Sequence, residues 1–139
     1  MLKGKLLHPE ILGALAGAGH GSKVLITDGN FPHSTKAGSQ AQLVYLNLAP
    51  GKVLVTEVLQ SILTVIPVES FEVMQPADGK DAPIFKEFRK LIGSRVPMTR
   101  LERFAFYDAA IDPDVCLLIA TGDQRLYANI LLTIGVVAP

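Results

Sequence analysis

The sequence predicts an α/β protein with a mostly parallel sheet between helix layers. Short β-branched runs alternate with segments of helical period along the whole chain. Two of those runs, "KVLIT" and "VCLLIA", are continuously apolar, as strands covered on both faces are. The 139 residues contain no internal repeat, low-complexity tract or linker, so one domain spanning residues 1–139 is expected.

Pro9 suits the first turn of a helix, where its missing N–H costs nothing. Ile11, Leu12, Leu15 and Ala16 then recur at helical spacing, and Gly17 and Gly19 end the segment. A strand follows in "KVLITD", residues 23–28, and a second in "LVYLNL", residues 43–48. Residues 34–42 between them are the most loop-like. Val55, Val58, Leu59, Ile62, Leu63 and Ile66 share one helical face, with Thr56 as the expected cap and Pro67 as the stop. "VESFEVMQ" alternates as a strand does. "DAPIFKEFRKLIG" reads as a helix with Asp81 near its start and Gly93 at its end. "RLERFAFYDAA" is a helix, or a helix after a short strand. "DVCLLIATG" is a buried strand, and "YANILLTIGVV" gives one more.

Formal charge is zero, which leaves no electrostatic footprint for nucleic acid or an anionic membrane. The lone Cys116 excludes an internal disulfide and reads as a small core residue in a reducing compartment. The first residues faintly resemble a signal peptide, but His8, Pro9 and Glu10 interrupt the apolar stretch, so a soluble cytoplasmic protein is expected. Hydrophobic residues make up 49% and charged residues 19%, against ~25% charged in typical domains. The excess points to subunit contacts.

Ligands of open α/β sheets sit beyond the carboxyl ends of the strands. Asp28 ends one strand, and Thr121, Gly122 and Asp123 end another. "GHGS" is not a phosphate loop, because it precedes a strand instead of opening a helix. A dinucleotide fingerprint is absent. His20, Asp28 and His33 flank the first strand without the spacing of a metal site, and no metal is expected. Taken singly, His20 is a polar helix-terminal residue and Asp28 a turn former in "DGN". Taken together they suggest proton transfer, since histidine exchanges protons near neutral pH. Arg103 is either a surface charge or a donor to a polar ligand, and Tyr107 shares that ambiguity. Tyr127 and Asn129 lie two apart and on a strand would face one side. They are either an edge pair or partners for hydroxyl groups.

The stretches "GHGSKVLITDGNFP", "RFAFY" and "TGDQRLYANILLTIGV" together resemble the family of L-fucose mutarotases and D-ribose pyranases, nearly end to end. The resemblance implies a three-layer sandwich, an isomerase that needs no cofactor, and a monosaccharide substrate. It also implies homo-oligomeric rings, often decamers of two stacked pentamers, with sites shared between neighbours. The family's catalytic histidine matches His20, its sugar-binding aspartate Asp28, and its terminal tyrosine and asparagine Tyr127 and Asn129. Arg103 stands where the fucose branch has arginine. On this reading His20, Asp28 and Tyr127 are catalytic, and Asp28, Arg103, Tyr127 and Asn129 bind sugar. Asp28 would also tune His20. "YANI" looks like the ribose branch, "RFAFY" and "FPHS" like the fucose branch. Asp123 replaces the family's usual glutamate. Sugar binding without turnover, and lyase or isomerase chemistry on a sugar acid, are the alternatives.

Overall fold

A computed structural model describes all residues, 1–139. Ten elements follow in the order α1 (Pro9–Gly17), β1 (Lys23–Thr27), β2 (Gln42–Tyr45), α2 (Val55–Ile62), β3 (Val68–Met74), α3 (Ile84–Ile92), β4 (Met98–Leu101), α4 (Arg103–Ala110), β5 (Val115–Ala120) and β6 (Ile130–Ile134). The six strands form one sheet in the order β2-β5-β1-β6-β3-β4. β1 and β2 run parallel to β5, and β3 runs parallel to β4. β6 runs antiparallel to both its neighbours, β1 and β3. Five strands therefore share a direction and one opposes them.

Alternation of side chains along each strand sorts the core into two faces. Val24, Ile26, Ile130 and Leu132 pack under α1, α2 and α3 through Ile11, Leu15, Val58, Leu59, Phe85 and Phe88. Leu25, Leu118 and Leu131 face the other way, under Phe31 and, from α4, Phe106 and Ala110. The layers are unequal, with 23 buried residues in one cluster and nine in the other. The thinner layer has only α4 and the loop after β1 to cover it. No helix is long and apolar enough to cross a membrane.

Several element ends differ from the sequence reading. Thr56 does not cap α2. The Val55 N–H is taken by the Asp123 carboxylate at 3.0 Å and the Leu54 N–H by Glu57 at 2.7 Å, so the cap is Leu54 and the helix begins two residues earlier. α2 also stops at Ile62, and turn hydrogen bonds carry the chain from there to Ile66. Asp81 is drawn away from α3 by a bidentate pair with Arg100 on β4, at 2.6 and 2.7 Å. β2 ends at Tyr45, and Asn47 and Leu48 turn into the next loop. "RLERFAFYDAA" is a strand followed by a helix, with Glu102 capping α4 by accepting the Ala105 N–H at 2.7 Å. Cys116 is half-buried and its thiol donates to the Lys23 carbonyl at 3.3 Å, with burial pushing its pKa up.

Gly122 shows how tightly the strand ends are packed. A Cβ there would overlap the carbonyl oxygens of Lys52 and Ala49, whose turn also donates the Gly51 N–H to Gly122 at 2.6 Å. Gly13 on α1 has nothing within 4 Å of its would-be Cβ. Urea denaturation is expected to show Gly122→Ala losing at least ~2 kcal/mol through overpacking. Gly13→Ala should gain ~0.5–1 kcal/mol through helix propensity.

Candidate functional site

The carboxyl ends of the five parallel strands, together with the start of the reversed β6, make one polar edge of the sheet. Asp28 leaves β1 there, and Asn129 enters β6 beside it. Asn129 accepts the Asp28 backbone N–H at 2.9 Å and donates its amide to the Asp28 carboxylate at 3.0 Å. The second carboxylate oxygen of Asp28 accepts the Asn30 N–H at 2.9 Å. Both residues are buried, at 3% exposure each. Burial pushes the Asp28 carboxyl above the ordinary carboxylate value, and the Asn30 and Asn129 donors hold that rise in check.

Asp28, Asn30, Phe31, Met74, Arg103, Tyr107, Leu126, Tyr127 and Asn129 line a cavity of about 240 Å³. That lies below the ~300–1,000 Å³ of sites for drug-sized ligands and suits a single small polar molecule. The polar groups converge from β1, α4 and the loop before β6. Phe31 and Tyr107 meet edge to face at 5.6 Å and form an aromatic wall. Arg103 opens α4, is exposed, and rests over Phe104 with its guanidinium carbon 5.2 Å from the ring centre. Four of the expected site residues, Asp28, Arg103, Tyr127 and Asn129, line this one cavity.

Tyr127 and Asn129 are not the strand pair that their spacing predicts. They do not sit on a strand, since β6 begins at Ile130. Tyr127 has φ +62°, in the left-handed region, and is the one non-glycine residue of the chain with positive φ. The loop conformation, not strand alternation, brings both side chains to the cavity. Met74 is a lining residue that the sequence reading does not anticipate, and Tyr107, left open there between surface and ligand, also lines the cavity. Met74 ends β3, so the strand-end rule carried a signal for it, while Tyr107 lies one helical turn beyond Arg103.

His20 is not in this cavity. It precedes β1 and Asp28 follows it, so five strand residues at ~3.3 Å each hold them roughly 16 Å or more apart. His20 lies at the opposite edge, donating from Nε2 to Glu69 at the start of β3 at 2.8 Å. Its surroundings are a separate, largely apolar hollow of about 320 Å³ that includes Val65, Pro67, Val136 and Val137. Within one chain, Asp28 therefore does not touch His20 and does not tune it. His33 is buried behind the Asp28 turn, where its Nε2–H donates to the Asp28 carbonyl at 3.1 Å. Burial lowers its pKa, against the opposing pull of the Asp28 carbonyl. No three His, Cys, Asp or Glu side chains cluster as a metal's donor set would.

A larger cleft of about 510 Å³ lies alongside, between residues 47–50 and 121–124. Its buried carboxylate, Asp123, is fully engaged by the Val55 N–H and by Arg125. Burial would raise the Asp123 pKa, but the Arg125 guanidinium together with the Arg125 and Val55 N–H groups outweighs it and holds the group below its ordinary value.

The chain matches the RbsD / FucU transport protein family over residues 1–137. It is 34% identical to the fucose mutarotase of Danio rerio, with 100% of this chain and 96% of that protein aligned. It is 32% identical to the fucose mutarotase of Homo sapiens, with 96% and 91% aligned. Among solved structures, it superposes on the fucose mutarotase of Streptococcus pneumoniae in complex with L-fucose with a TM-score of 0.80 at 30% identity, covering 94% of each chain. Bacillus subtilis RbsD complexed with D-ribose gives a TM-score of 0.83 at 24% identity, covering 99% and 100%, a likeness of fold alone.

The Asp28–Asn129 contact yields a pH signature. Asn129→Asp would set two carboxylates about 3.0 Å apart, so one must keep its proton on folding. The folded-state pKa of the pair then rises above the unfolded value, and stability grows as pH falls through that window. Urea denaturation should show a loss of ~1–3 kcal/mol near pH 7.5 that shrinks toward pH ~4.5. An equal loss at both pH values would contradict the contact.

Proposed function

The chain belongs to the RbsD / FucU transport protein family, and we propose from that premise and from the cavity that it is a sugar mutarotase, an isomerase that interconverts the ring forms of L-fucose. The observation that carries the reading is the convergence of Asp28, Arg103, Tyr127 and Asn129 on a cavity of monosaccharide size. Arg103, standing where the resemblance gives the fucose branch its arginine, and the likeness to fucose mutarotases over nearly the whole chain support L-fucose over D-ribose.

Mutarotation opens and recloses a hemiacetal. A base takes the proton of the anomeric hydroxyl while an acid delivers one to the ring oxygen. The C–O bond breaks to give the open aldehyde, which rotates and closes on its other face. An uncatalysed reaction that takes hours has a barrier of ~23 kcal/mol. General acid–base catalysis supplies ~10²–10⁴, and fixed orientation adds to it. The Asp28 carboxylate accepts a sugar hydroxyl, and the Arg103 guanidinium and Asn129 amide bind the others. The Tyr127 phenol carries a proton at the ring.

We assign the remaining proton shuttle to His20 of a neighbouring copy. The hollow around His20 is flanked by the exposed Val136 and Val137; the sugar cavity is lined by the exposed Leu126, and the exposed Phe104 packs edge to face on Tyr107 of its wall. Two apolar rims of this kind suit mutual burial between copies. A homo-oligomeric ring, with a decamer as the resemblance implies, closes such head-to-tail contacts. The reduced Cys116 suits the cytoplasm.

Saturation-transfer NMR on equilibrating L-fucose and D-ribose tests the reading. Exchange between anomer signals should rise with the protein for L-fucose. Asp28→Asn and His20→Ala should each slow it by ~10²-fold or more with the assembly intact by light scattering. Bound-state shifts without faster exchange would mean sugar binding only. A new product would mean a different reaction.

A further inference from the structure

The loop from Thr121 to Asn129 carries two of the cavity's polar groups yet has almost no regular structure of its own. One guanidinium ties the middle of this loop to the neighbouring helices. Arg125 donates from Nε and Nη2 to the Asp123 carboxylate, at 3.0 and 2.7 Å. Its Nη1 reaches Glu87 on α3 at 2.8 Å, and its Nη2 reaches the Thr56 hydroxyl on α2 at 3.1 Å. The Asp123 carboxylate is 1% exposed and also accepts the N–H groups of Val55 and Arg125, both at 3.0 Å. Loop, α2 and α3 thus meet at a single planar fork, a geometry lysine does not reproduce.

Two residues beyond this fork, Tyr127 adopts its left-handed backbone, φ +62°. A bulky side chain there is strained, and such a conformation persists only where its surroundings over-determine it. The Asn129–Asp28 pair fixes the loop on the far side of Tyr127. The Arg125 fork fixes it on the near side. Arg125, Glu87 and Thr56 are not among the residues that line the sugar cavity.

We propose that Arg125 is a positioning residue, whose guanidinium, held by Asp123, Glu87 and Thr56, fixes the turn that aims the Tyr127 phenol at the bound sugar. This rests on the assignment of Tyr127 to the reaction. Arg125 touches no substrate. Its removal lets the turn relax and displaces the phenol, which costs turnover more than affinity.

A double-mutant cycle read by anomer-exchange NMR tests this. Arg125→Ala should lower kcat by roughly 10- to 10²-fold with KM within about twofold. Arg125→Lys should recover only part of the loss. In a Tyr127→Phe background, Arg125→Ala should cost little more, because the group it positions is already gone. Equal losses in both backgrounds, or an unchanged kcat for Arg125→Ala, would overturn the positioning role while leaving Tyr127 in the mechanism. Wild-type exchange in Tyr127→Phe would remove the phenol from the reaction, and this proposal with it. Should Arg125→Ala not fold, Glu87→Gln at the exposed end of the fork should show a smaller loss of kcat that vanishes in Tyr127→Phe. Additive behaviour there overturns the proposal equally.

Discussion

β6 runs against the five other strands, and the site depends on that reversal. A parallel β6 would begin at the opposite edge of the sheet. Antiparallel, it delivers Tyr127 and Asn129 to the carboxyl end of β1, where Asp28 waits. The two hydrogen bonds between Asp28 and Asn129 then close the floor of the cavity. They also satisfy a carboxylate that would be costly to bury alone. The unequal helix layers supply the opening. Three helices seal one face, whereas α4 and Phe31 leave room on the other for a small ligand.

The same sheet separates His20 from that cavity. Residues on either side of a strand are adjacent in sequence and a full strand length apart in space. The sequence reading took the flanking of β1 by His20 and Asp28 as a sign of proton transfer, and the resemblance allowed their site to be shared between neighbouring copies. The rise per residue of a strand already argued against convergence inside one chain. His20 instead shares its edge with Glu69 and an exposed valine pair. Apolar side chains are exposed at both edges, Val136 and Val137 at one and Leu126 at the other.

The fold class and the order of elements were legible because they depend on local pattern, whereas Arg103, Tyr127 and Asn129 were assigned to a sugar site through the family resemblance. Apolar runs marked β1 and β5, and helical spacing marked α1, α2 and α3. The glycine-bearing strand ends pointed to the right edge of the sheet. What was not legible depends on partners distant in sequence. α2 is capped by Asp123, 68 residues away, so Thr56 could not be excluded from its local context. Asp81 leaves the start of α3 for Arg100. Tyr127 reads as a strand residue by its neighbours, and only the loop's anchors reveal its left-handed backbone.

The central claim is that each working site combines the Asp28 cavity of one copy with His20 of another. Hybrid assemblies test it directly. His20→Ala and Asp28→Asn chains, each inactive alone, are co-refolded or co-expressed and assayed by anomer exchange. The account predicts that mixing restores exchange, because some interfaces then pair an intact cavity with an intact histidine. Mixed assemblies verified by mass that stay as inactive as either parent would contradict it.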